Sequence, residues 1–366
     1  MMLNPFTKRS LLLVAAALLG GLAWSHIEHD GQKAANNHAE AADTVCVADT
    51  AYVDDSWTLP PVASLSECTT LDSAITRRSR EALLAGLRHF KGNLGQLAVV
   101  DAATGELKCW VSLKLKRKSY ADAPLLLQAA NTTDLITTAF AAHLHTKGLK
   151  LTDTVDVDNG IYHRPNGETV RDNNWRSGGY GCVTWHYAFT HRSRVAAYRA
   201  LEKAYGRDEA NNMWFTLCRH SMDEGNAMDM AAMVNSLYSH DCQLRPSLFG
   251  GAPRRIPFGR ALDAQGLADV RTVLRGCFAD GGIYAPYASK AVTMAGCFGY
   301  DTEYTTDQNG ESQVVVASSC FMGTFPADHP RYAIGLFINR PTAPVPSARQ
   351  TLEQVVNPLA EWLMKH

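Results

Sequence analysis

Strand-forming segments stand at both ends of the patterned part of this chain, and helix-forming segments fill the middle. "LGQLAVVDAATGELKCWVSL" reads as a hairpin. Residues 97–100 form one strand, Asp101 to Gly105 the turn, and residues 107–113 the return. Far along the chain come three more strand patterns, at 291–300, 312–324 and 332–339. Between them lie helical patterns in "AANTTDLITTAFAAHLHTKG", "VTWHYAFTHRSRVAAYRALEKAYG", "MDMAAMVNSLYSHDCQLRPSLF" and "GLADVRTVLRGCFADGG". A helix with Leu83, Leu84, Leu87 and Phe90 at helical spacing precedes the hairpin, and "SARQTLEQVVNPLAEWLMKH" forms a last one. Separate strand and helix runs imply an α+β fold, with one antiparallel sheet assembled from both ends of the chain.

The 366 residues are enough for one large or two ordinary domains. Charged residues are 19% and the formal net charge is −1, which argues against nucleic acid as a partner and against disorder. The N-terminus is basic at Lys8 and Arg9, then uncharged from Leu11 to Trp24. That pattern predicts an export signal or membrane anchor over residues 1–25, with Ala23 and Ser25 as small residues near a cleavage point. A spanning helix wants roughly 20 apolar residues, so membrane association depends on the segment staying uncleaved. Residues 26–66 are rich in Ala, Asp, His, Asn and Ser and predict a linker. The chain is expected to be exported, to a periplasmic or other extracytoplasmic site.

The folded part, 67–366, is similar in order and local phrasing to the transpeptidase domain of penicillin-binding proteins. The resemblance rests on "TTLDSAITRRSREAL", on the D-x-x-T-G-E turn of the hairpin, on "MDMAAMVNSLYSHDCQLRPSLF", and on "FMGTFPADHPRYAIGLFINRP" with its F-P-A-D-x-P turn. It implies a β-lactamase/transpeptidase-like fold: a five-stranded antiparallel sheet with helices on both faces, plus an all-helical subdomain. It also implies a site of three motifs. S-x-x-K supplies a serine nucleophile and, one helical turn later, a lysine base. S-x-N relays protons from a facing loop. K-T-G, on an edge strand, anchors the substrate carboxylate.

Each motif position has lost its reactive groups. The first falls on Asn131-Thr132-Thr133-Asp134, the second on Arg192-Ser193-Arg194, the third on Cys297-Phe298-Gly299. No lysine in the chain has a serine three residues before it, no asparagine has a serine or tyrosine two residues before it, and no lysine or histidine precedes Ser-Gly or Thr-Gly. A shifted register therefore rescues none of them. The resemblance implies a degenerate member that binds a peptidoglycan peptide or an envelope protein partner, with β-lactam binding a further possibility. Nothing in the pattern calls for a cofactor or a metal. The alternative is a rebuilt acyl-transfer site with Thr132, Ser193 or Cys297 as nucleophile.

Bland roles compete at each of these residues. Thr132 and Thr133 suit a helix N-terminus. Cys297 has three readings: a thiolate activated by Arg192 and Arg194, a cross-strand disulfide partner of Cys320, or a buried thiol. Nine cysteines without a CxxC pair argue against a zinc ribbon. His143 with His145, and His186 with His191, lack the spacing that puts both on one helix face. Arg171, Arg176, Arg192, Arg194 and Arg199 cluster in one stretch; Arg192 and Arg194 are the candidates for an anion-binding groove, with Asp134 as their expected partner.

Overall fold

A computed structural model describes residues 70–123, 141–165, 167, 169–204, 226–246, 254–257, 262–306, 312–339 and 348–366. All lie within one compact unit, Trp57–His366. The expected signal, the linker, and the first-motif residues Asn131, Thr132, Thr133 and Asp134 lie outside the described residues. No helix of the described residues is long and apolar enough to cross a membrane.

Helix α1 (Ser73–Phe90) begins where Asp72 accepts the N–H groups of Ala74 and Ile75, both at 2.8 Å. It ends as Lys91 turns left-handed (φ 54) and Gly92 N–H returns to Leu87 O (2.8 Å). The hairpin follows as β1 (Leu94–Asp101) and β2 (Leu107–Lys116). Asp101 Oδ1 shapes its turn by accepting from the N–H groups of Ala103 and Thr104. A short strand β3 (Ser119–Asp122) then pairs with β2. The expected five-stranded sheet thus has six strands. The extra edge strand escapes a sequence reading because its tight turn is built by Arg117 (φ 58), where glycine is the usual signal.

Residues 141–143 are helical and pass into a 3-10 turn, Leu144–Lys147, closed by Gly148 (φ 73). The next stretch, which reads as loop-rich in the sequence, holds two small antiparallel pairs. Strand β4 (Thr154–Asp156) pairs with β7 (Cys182–Thr184), and β5 (Ile161–His163) pairs with β6 (Thr169–Arg171). Three-residue strands are too short for a legible period-2 pattern. Helices α2 (Trp185–Thr190) and α3 (Arg194–Ala204) follow, then α4 (Ala227–Ser239), β8 (Cys242–Arg245), β9 (Arg254–Pro257) and α5 (Ala264–Gly276). Three long strands, β10 (Ala295–Thr306), β11 (Ser312–Phe325) and β12 (Tyr332–Asn339), complete the sheet. The chain closes with α6 (Ala348–Thr351), a π-turn over Leu352–Val356, and α7 (Asn357–Leu363). Pro358 has no N–H to continue the i→i−4 ladder, and the wide turn sits just before it.

The sheet order is β10-β11-β12-β1-β2-β3, antiparallel throughout. The first hairpin and the last strand meet at its centre, with Ala98 opposite Gly335. Leu97 and Val99 of β1 pack with Leu83, Leu87, Leu352 and Leu359 on one face. Ala98 and Val100 pack with Met230 and Val234 of α4 on the other. Burying each Leu or Val contributes roughly 1.5–3 kcal/mol, so both layers are needed. Helix α4 seats closely against β12. A Cβ at Gly335 would stand 1.8 Å from Ala227 O, so only glycine lets the helix approach. Gln96, fully buried beneath that helix start, accepts the Ala227 N–H (3.3 Å).

Candidate active site

The stretch at 183–206, one continuous helical pattern in the sequence, is broken at His191-Arg192-Ser193. Arg192 adopts φ 55. Its N–H donates to Phe189 O (3.1 Å), and the Ser193 N–H donates to Ala188 O (2.8 Å). This pair of bonds is the Schellman closure, with arginine where glycine normally relieves the left-handed strain. The turn places the second-motif residues at the junction between α2 and α3. A non-glycine residue held left-handed concentrates at functional sites.

Ser193 is fully buried and has two structural tasks. Its Oγ donates to Asp172 Oδ2 (2.8 Å) and accepts the Ala196 N–H (3.0 Å), which caps α3. Asp172 Oδ1 accepts the Val195 N–H (2.9 Å), so a second group caps the same helix. Asp172 is 1% exposed. Burial raises its carboxyl pKa, against the lowering effects of these bonds and of the Arg194 charge. The hydroxyl that the sequence offers as an alternative nucleophile is therefore buried in the helix junction, bonded to Asp172 and Ala196. Sequence reasoning missed Asp172; an aspartate 21 residues away carries no local capping signal.

Tyr180, Tyr187 and His191 form an aromatic group beside Arg192. The His191 ring stacks on Tyr187 (3.7 Å between centroids, 13° between planes), and Tyr180 meets both edge-on at 5.7 and 5.8 Å. Tyr187 is the exposed member, at 39%. Tyr180 Oη donates to Asn173 Oδ1 (2.7 Å). Its pKa is pushed up to about 12, mainly by burial and then by the Asp172 charge, while Arg192 acts the other way. Burial likewise depresses the His191 pKa.

The third-motif residues lie on β10, the edge strand of the sheet. Cys297 is 4% exposed and belongs to the α4 side of the core. Phe298 turns the opposite way, into a ring cluster with Tyr284 (5.0 Å) and Phe321 (4.8 Å). Gly299 lies opposite Cys320, and Cys297 opposite Met322. The Cys297–Cys320 disulfide is not formed: both are thiols, and their positions are two residues out of register. Cys297 instead neighbours Cys277. Burial raises the Cys277 thiol pKa, the Cys297 charge raises it further, and Arg192 lowers it. Arg192 of the second motif position and Cys297 of the third thus both act electrostatically on Cys277.

The other arginines of the cluster serve packing. Arg171 and Arg176 lie over Trp175 (5.4 and 4.8 Å), and Arg199 lies over Tyr162 (5.4 Å) while donating to Asp156 O. Arg194 stands within electrostatic reach of Asp172. The expected Arg–Asp134 pairing lies outside the described residues. His145 bonds Asp263 (2.9 Å), and His191 stacks on Tyr187. No group of three or more His, Cys, Asp or Glu side chains among the described residues is placed to hold a metal.

No family model matches the sequence, and no characterised protein matches it by sequence. Solved structures do match in three dimensions. The transpeptidase domain of Burkholderia pseudomallei penicillin-binding protein 3 is 15% identical with a TM-score of 0.62, over 82% of this chain and 97% of that one. A Burkholderia ambifaria peptidoglycan glycosyltransferase is 16% identical with a TM-score of 0.60, over 81% and 96%. Penicillin-binding protein 3 of Mycobacterium tuberculosis, solved with aztreonam, is 18% identical with a TM-score of 0.61, over 81% and 78%. The chain has the fold of these domains, at sequence identities of 15–18%.

Proposed function

We propose that this chain, built on the fold of penicillin-binding-protein transpeptidase domains, works in the cell envelope by binding and does not transfer acyl groups. Its ligand on this reading is a peptidoglycan peptide or a protein of the wall-synthesis machinery. One observation carries the proposal: the serine at the second motif position spends its hydroxyl on Asp172 and on the cap of α3. The sequence adds that no serine–lysine pair exists to replace the first motif. Acyl transfer needs a nucleophile within reach of a base and open to substrate. Binding needs only a shaped, charged surface, which Arg192, Arg194 and the exposed Tyr187 ring supply. The reading places the domain outside the cytoplasm, as the N-terminal sequence pattern also expects.

The test is covalent labelling. The purified protein is incubated with a fluorescent penicillin, denatured and run on a gel, and its intact mass is measured after β-lactam treatment. No adduct is expected, while sedimentation with purified peptidoglycan retains the protein. A labelled band that unlabelled penicillin chases away would sink the binding reading. It would favour the rebuilt site, with Thr132 or Cys297 mutated next to find the nucleophile.

A further inference from the structure

A cleft of about 630 Å³ opens at the end of the sheet where β1 turns into β2 and β11 turns towards β12. That volume is in the range of sites for small ligands and short peptide segments. Its wall is braced. Tyr238 Oη donates to Ala327 O (2.9 Å), and His240 Nε2 donates to Ala102 O (2.6 Å), which puts the imidazole proton on Nε2. Arg271 crosses the end of α4, with Nε on Leu237 O (3.1 Å) and Nη2 on His240 O (2.6 Å). One turn further along α5, Arg275 pairs with Asp328 at 2.5 Å, and both side chains are about half exposed. The hydroxyl of Ser239 in the same wall is buried with no hydrogen-bond partner among the described residues. Burial raises the Tyr238 hydroxyl pKa, with Arg275 and Arg271 lowering it and Asp328 raising it.

The geometry points to a second binding site, lined by none of the second- or third-motif residues, that takes a short peptide segment through its carboxylate. The Arg275 guanidinium on helix α5 pairs with the Asp328 carboxylate, which is half in solvent, and Arg271 lines the same cleft. Asp328 stands where the ligand group would stand. Exposed ion pairs are weak, so a ligand carboxylate that also gains bidentate geometry and the apolar cleft walls displaces it at little cost. The fixed donors on the wall, held by backbone bonds, lose little freedom when a ligand arrives.

The experiment is calorimetric titration of the full chain with acetyl-Glu-Glu-amide, and with acetyl-Gln-Gln-amide as the uncharged counterpart. Saturable binding of the glutamate peptide alone is expected. Arg275→Gln weakens it about tenfold. Asp328→Asn tightens it, by up to about fivefold, which is the equivalent of the ~1 kcal/mol ceiling of an exposed pair. The double variant behaves as Arg275→Gln does. Arg192→Gln, in the other groove, leaves binding unchanged. Both cleft positions are half exposed, and thermal midpoints within about 2 °C of the parent check that the variants fold. Absence of saturable binding, equal binding of both peptides, weaker binding in Asp328→Asn, or loss of binding in Arg192→Gln but not Arg275→Gln would each overturn the assignment.

Discussion

Replacing Ser193 by alanine separates a structural serine from a reactive one. Ser193 Oγ makes two bonds, to Asp172 Oδ2 at 2.8 Å and from the Ala196 N–H at 3.0 Å. Loss of a helix cap costs about 1 kcal/mol. A hydrogen bond to a charged acceptor contributes roughly 1.5–3 kcal/mol, and Asp172 stays buried after its partner is gone. Alanine creates almost no cavity, so no packing loss is added. The sum is about 2–4 kcal/mol, with the two parts coupled because they share one oxygen. For a domain of this size that corresponds to a fall of about 4–8 °C in thermal midpoint. Circular dichroism melts and urea unfolding of the parent, Ser193→Ala, Asp172→Asn and the double variant measure it. The Ser193→Ala cost should shrink by about 1 kcal/mol or more in the Asp172→Asn background. A change below about 1 °C, or strict additivity of the two substitutions, would show that the Ser193–Asp172 contact does not hold the junction and would reopen the nucleophile reading.

Arg192→Gly should be more stable than Arg192→Ala by about 1 kcal/mol, since only glycine sits at φ 55 without strain; equal urea midpoints would refute this. The raised Asp172 pKa sets a pH dependence: its contribution is fully present below the unfolded carboxyl value near ~3.9 and is lost as pH rises through the raised folded value. The stability of the parent relative to Asp172→Asn should therefore decline across that interval, and a rising difference in a pH series of unfolding curves would contradict it. Cys182 is exposed, whereas Cys109 and Cys277 are buried and their thiol pKa values raised by burial, Cys109 to about 12. Cys182→Ser should accordingly remove one equivalent of fast thiol reaction with an aromatic disulfide in the native protein, leaving Cys109 and Cys277 to react on unfolding.

The sequence by itself determined the architecture. The apolar runs that became β1 and β12, buried on both faces, and the 3.6-period runs that became α1, α4 and α5, buried on one, lie close to where the structure has them, because the way an element is buried sets the pattern of its apolar residues. The F-P-A-D-x-P turn and the D-x-x-T-G-E turn carried the resemblance to transpeptidases, and the missing serine–lysine pair was legible letter by letter. Only the tertiary structure decided what replaced the lost motifs. The break at Arg192 has no glycine to announce it, and the left-handed turn there is imposed by the bonds to Phe189 and Ala188 together with the packing of α2 and α3. Asp172 reaches Ser193 across 21 residues of chain. The cleft beside Arg275 is walled by segments from four separate parts of the sequence. Local patterns record local burial. Contacts between segments far apart in sequence depend on how the sheet and helices close on one another, and no single stretch of residues contains that information.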